Sequence, residues 1–87
     1  MEYELEVSEK LDKIFRKIQK RDNKLLSIIT KKVQEILQHP QHYKPLRGDM
    51  HGSRRVHINS SFVLVYEIDE NRRVVRLLDY DHHDNIY

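Results

Sequence analysis

The sequence predicts an α+β domain, with two helices laid on one face of a mostly antiparallel sheet. Three observations carry that expectation. The opening residues alternate apolar and acidic side chains, the period of a strand. Two stretches then repeat apolar residues every three to four positions, and from Ser53 onward the period falls back to two. The predicted order is β-α-α-β-β-β. At 87 residues the chain is expected to form a single domain, 1–87, with no room for a second core.

Each element has its own signal. Tyr3, Leu5 and Val7 alternate with Glu2, Glu4 and Glu6, so one side of the first strand is apolar and the other acidic. Ser8 stands where an N-cap is needed, ahead of Leu11, Ile14, Phe15 and Ile18 at helical spacing. Asp22-Asn23 is a polar break. A second helix follows on Leu26, Ile29, Val33, Ile36 and Leu37, and it ends at His39-Pro40 because proline disfavours a helical residue before it. Pro45 to Gly52 is expected to be a loop or short edge strand, with Gly48 and Gly52 supplying flexibility. Beyond it, Arg55, His57 and Asn59 alternate with Val56 and Ile58. Phe62 to Tyr66 is the continuous β-branched and aromatic run of a central strand. Asp69-Glu70-Asn71 is a turn, and Val74 to Leu78 the last strand.

Composition excludes several functions. The chain has no cysteine, which rules out disulfides and thiolate metal sites. It has no long apolar run or signal-like start, so no membrane association is expected and a cytoplasmic location is. The net charge of +2 hides a strong segregation. Residues 9–32 carry nine Lys/Arg against three acids, and residues 44–58 add Lys44, Arg47, Arg54 and Arg55 against Asp49 alone. The last 21 residues hold six acids against three arginines. A basic face can therefore coexist with a small total charge.

The residues suited to chemistry fall in two places. The terminal stretch Asp79-Tyr80-Asp81-His82-His83-Asp84-Asn85-Ile86-Tyr87 holds two histidines, the side chain whose ordinary pKa suits proton transfer near neutrality. On an extended backbone His82 and His83 would point to opposite sides, so only one is expected to face a given pocket. A polar tail with no task, or a fortuitous metal binder, is the plain alternative. His57 lies on the same strand face as Arg55, which puts a proton carrier beside a phosphate clamp. Lys44, Arg47, Arg54 and Arg55 form a basic cluster that suits phosphate recognition, or ion pairing with the acidic tail. Lys10, Lys13, Lys17, Lys20 and Lys24 recur at helical spacing, either as a solvated face or as a surface that docks on nucleic acid. Asp81, His82, His83 and Asp84 are ligand types, but their spacing matches no closed metal set, so no metal or other cofactor is expected. No phosphate-cradling glycine loop or nucleophile elbow is present.

Four segments together resemble the RelE/ParE toxins of type II toxin–antitoxin systems, in particular their YafQ and RelE/StbE branch. They are Lys44-Pro45-Leu46-Arg47-Gly48, Ser53-Arg54-Arg55-Val56-His57-Ile58, Phe62-Val63-Leu64-Val65-Tyr66 and His82-His83-Asp84-Asn85-Ile86-Tyr87. The resemblance covers nearly the whole chain and implies a RelE-like, microbial-RNase-like fold. It also implies a ribosome-dependent endoribonuclease acting on messenger RNA and silenced by a cognate antitoxin protein. Under it His57 matches a functional strand histidine, His83 a catalytic histidine four residues before a terminal aromatic, and Tyr87 a terminal tyrosine. The chain departs from the pattern at Lys44, where YafQ-like proteins have a histidine. It departs again at Ser60-Ser61, where they carry an acid, and at Val63, where RelE has an arginine.

The expected chemistry is metal-independent transesterification, with 2′-OH attack giving a 2′,3′-cyclic phosphate and a 5′-hydroxyl. The catalytic set is His83, His57, Tyr87 and Arg55; Lys44, Arg47, Arg54, His82 and Asp81 are substrate contacts. Two other readings stand beside it: a ParE-like toxin that inhibits a topoisomerase without cutting, and a plain RNA-binding regulatory module.

Overall fold

The structure, a computed structural model, describes residues 3–44 and 52–86. Strand β1 (Glu4–Val7) leads through Ser8 into helix α1 (Glu9–Arg21), and α2 (Asn23–Gln38) follows. The Ser8 side chain accepts from the Leu11 amide at 3.2 Å, as its position in the sequence predicts. Asp22 ends α1 and caps α2, accepting from the Leu25 amide at 3.0 Å. The break is thus one residue wide. A 3-10 turn at Pro40–His42 begins where proline ends the helix. Then come β2 (Ser53–His57), β3 (Phe62–Asp69), β4 (Val74–His82) and a second 3-10 turn at His83–Asn85.

The strands form one sheet in the order β1-β4-β3-β2. β4–β3 and β3–β2 are antiparallel, and β1 adds to β4 in parallel. The α+β architecture is therefore the one the periodicities predict, with β3 an interior strand. Two boundaries differ. β4 runs four residues past Leu78, because Asp79 to His82 pair with Phe62 to Val65 across a bulge at Val65/Tyr66. Backbone pairing with an interior strand outweighs the poor strand preference of aspartate. Asp69 closes β3 and accepts from the Arg72 amide; the turn extends to Arg73, which takes a left-handed φ of 53°.

Side chains alternate between the two sheet faces. Val56, Leu64 and Tyr80 lie in register across three strands and join Tyr66, Val75 and Leu77 under the helices. Leu11, Ile29, Val33 and Ile36 close this core from above. Within it the Tyr66 hydroxyl donates to the Pro40 carbonyl, and burial pushes its pKa up to about 12. Tyr3 ties the first strand to the β3–β4 hairpin: its hydroxyl donates to Glu70, and the Arg73 guanidinium lies 4.3 Å from its ring centre. No described helix is long and apolar enough to cross a membrane.

Candidate functional site

The opposite sheet face carries the residues of interest. His57, Val63 and Asp81 are in register across β2, β3 and β4, and Arg55 and Val65 form the next row. Two strand spacings, roughly 10 Å, separate the His57 and Asp81 backbones, with the short side chain of Val63 between them. Val63 and Val65 are fully buried because Ile86 and Leu78 pack on them. Ile86 is thus an anchor that folds the C-terminal turn back over the sheet.

Hydrogen bonds then fix that turn. The His83 amide donates to the Ser61 carbonyl at 2.9 Å, tying the turn to the β2–β3 loop. Asp81 accepts from the His82 amide at 2.7 Å and from the Asn85 side chain at 3.2 Å. Those two donors, the backbone one foremost, hold its carboxyl below the usual aspartate range. His82 packs edge-on against Phe62, with ring centres 5.7 Å apart.

The expectation that His82 and His83 face opposite ways does not hold. Their ring centres lie 4.4 Å apart at 32°, because the chain leaves the extended conformation at His83 and enters a 3-10 turn. Two-sided alternation applies only while the backbone stays extended. Asp84 joins them, with a carboxylate oxygen 2.9 Å from Nδ1 of His83 and the other 3.4 Å from Nδ1 of His82. All three side chains are reached by solvent.

Arg55 and His57 also wall a groove of about 470 Å³ that wraps the outer edge of β2. Lys32 of α2, His42, Tyr43 and Lys44 complete it. The Arg55 amide donates to the Lys44 carbonyl at 3.1 Å, so Lys44 is held alongside the strand. Lys32 pairs with Glu35 at 3.3 Å, and that pairing, with a hydrogen bond from Tyr43, lowers the Glu35 pKa.

With this geometry in place, comparison with known proteins is decisive. All of residues 1–87 match the family model of the ParE toxin of type II toxin–antitoxin systems, parDE. The chain belongs to the ParE toxin family. This is the RelE/ParE superfamily that its motifs resemble. It is 54% identical over 85 residues to a candidate toxin, RelE4 of Methanocaldococcus jannaschii, covering 98% of this chain and 90% of that one. In fold it is similar to a free mutant form of E. coli RelE, with a TM-score of 0.80 at 23% identity over 99% of this chain and 88% of that one. A chain of the E. coli DinJ–YafQ toxin–antitoxin complex gives 0.76 at 18% identity, over 100% and 99%.

The ParE-family fold brings together most, not all, of the residues singled out from sequence. His57 and Arg55 share the face onto which the turn bearing His83 folds, and Lys44 lines the adjoining groove. Arg54 points the other way: its Nη1 donates to the carbonyls of Gln41 and Tyr43, at 3.2 and 2.7 Å, and clasps the first 3-10 turn to β2. Asp81 is spent on the turn's backbone. Arg47 and Tyr87 lie outside the described residues. Lys32, His42 and Asn85 were not singled out; only the fold places the first two on the groove and the third on Asp81.

Proposed function

We propose that this ParE-family toxin is a ribosome-dependent endoribonuclease that cleaves messenger RNA by acid–base transesterification without a metal ion. The supporting observation is the His57–Val63–Asp81 row, with the His83 turn folded over its end. The row sets an exposed imidazole on β2 beside the Arg55 guanidinium, with the turn that carries His83 at its other end. A base removes the 2′-OH proton, O2′ attacks phosphorus, the P–O5′ bond breaks, and an acid protonates the leaving 5′-oxygen. His83 is the acid in this scheme and His57 the base or a phosphate contact. Arg55, with Arg47, stabilises the charge that develops on phosphorus, and Tyr87 positions the nucleotide. Lys44 and His82 hold flanking phosphates. Arg54 and Asp81 support the site through the backbone.

A cognate antitoxin is the expected silencing partner, its acidic segment covering the basic groove in the cytoplasm. Proton transfer contributes about 10²–10⁴-fold, and positioning and electrostatics supply the rest. Single-turnover cleavage on programmed ribosomes tests this directly. His83→Ala should lose that factor while ribosome binding persists, and EDTA should not lower the parent's rate. Equal rates for His83→Ala and parent would overturn the assignment.

The match to the ParE family model favours a second reading, inhibition of a topoisomerase with no cleavage. Supercoiling by purified gyrase in the presence of the toxin separates the two. Inhibition there, with intact messenger RNA on ribosomes, would establish the second.

A further inference from the structure

We propose that His82, His83 and Asp84 form a binding site for a divalent transition-metal ion such as Zn²⁺, and that the bound ion switches cleavage off. The first half stands on geometry alone; the second rests on the role given to His83 above.

One ligand atom from each of the three side chains lies within 4.8 Å of the other two. The two carboxylate–imidazole separations are 2.9 and 3.4 Å. Around a tetrahedral ion with bonds of about 2.0–2.1 Å, neighbouring ligand atoms stand about 3.3 Å apart. One carboxylate oxygen already stands near ligand spacing from His83 and the other from His82, so a turn of the carboxylate and approach of the imidazoles complete the set. The Asp84 amide donates to His82 Nδ1 at 3.2 Å, so one ring offers its lone pair only after a small turn. That rotation is about a broad two-fold torsion of a half-exposed ring, and costs little.

The backbone beneath is fixed before any ion arrives. Asp81 holds the His82 amide and Asn85, and Ser61 holds the His83 amide, so the ligands start from one arrangement. Two imidazoles and one carboxylate select Zn²⁺, Ni²⁺ or Cu²⁺ over Mg²⁺, which prefers an all-oxygen octahedron. Three protein ligands leave the fourth position to water. Solvent exposure opens a path for the ion.

Metal coordination takes the imidazole lone pair that proton transfer needs. A bound ion also places positive charge at the acid.

The test uses the tag-free full chain and Zn²⁺ as the probe. Calorimetric titration should give one site in the parent protein, weakened at least about tenfold in both Asp84→Asn and His82→Ala. Co²⁺ in place of Zn²⁺ should develop the visible absorption of a tetrahedral ion. In single-turnover cleavage, Zn²⁺ should slow the parent, and the ratio of rates with and without the ion should return toward one in Asp84→Asn. No saturable site, or equal affinity in all three proteins, overturns the site. Tight binding with faster cleavage overturns the inhibitory role and the metal-free chemistry together. Should His83→Ala cleave like the parent while the titration still finds the site, only the catalytic assignment falls.

Discussion

The two faces of the sheet differ in how much they bury. The helix-covered face buries a continuous apolar cluster from β2, β3 and β4, with Leu11, Ile29, Ile36, Leu64, Tyr66, Val75 and Leu77 all but inaccessible to solvent, while Leu5 and Val7 of β1 stay exposed. Among the described residues the other face has a cluster of three buried side chains, Val63, Val65 and Ile86, and its rim holds arginine, histidine and aspartate. A face whose rim keeps charged groups hydrated could not also be sealed. The small cluster there holds the C-terminal turn in place, and the large one holds the molecule together.

Breaking the helix face should have the largest effect on stability. Leu64→Ala leaves a cavity where no solvent reaches, and should cost about 2–5 kcal/mol in urea unfolding, a large part of the total available to so small a domain. Breaking the other face should cost less and harm function more. Ile86→Ala should lose about 1–2 kcal/mol, because a cluster this small relaxes around the gap, yet it should reduce cleavage about as strongly as His83→Ala. Full cleavage by Ile86→Ala would show that the turn needs no anchor.

Arg54 sharpens the division. As a clasp on two carbonyls, its replacement by alanine should lower stability by about 1–2 kcal/mol and leave ribosome affinity unchanged. Weakened binding at intact stability would return it to the substrate contacts. The smallest effect is expected from the α1 lysines. Reversing the charge of Lys13 or Lys17 should reduce the log–log salt slope of ribosome binding by roughly 0.7–0.9 for each phosphate that the helix no longer neutralises. An unchanged slope would make that stripe a solvated face. Lys10 is a poorer probe, since it already pairs with Asp79 at 3.4 Å.

Most of the architecture was legible because it rests on periodicity and punctuation. Ser8, Asp22 and Pro40 set element boundaries through local chemistry, and Val56, Leu64 and Tyr80 declare an inward face by alternation. Illegible features depend on the meeting of distant segments. Asp79 to His82 become strand only because β3 offers them a ladder. Likewise, His82 and His83 meet because Ser61 and Ile86 pull the chain into a turn, and no dipeptide pattern encodes that. Where the candidate residues lie was legible only in part, for the same reason. His57 and Arg55 follow from strand alternation, whereas the duty of Arg54 at two carbonyls and the place of Lys32 and His42 in the groove exist only after folding.

The order of strands has a consequence for how the molecule comes into being. β4 lies between β1 and β3, yet it is the last strand to be synthesised. Until residues 74–82 have left the ribosome, β1 has no neighbour, β3 has one bare edge, and Val63 and Val65 have nothing to cover them. Such long-range pairings are the slow ones, since the intervening chain must be closed before any contact rewards it. A nascent chain therefore exposes a sheet edge and apolar surface while it is still tethered. Its sheet face opposite the helices is not assembled until synthesis has passed the last strand. Under the proposed function, the ribosome that makes this chain meets no assembled site while the chain is still growing.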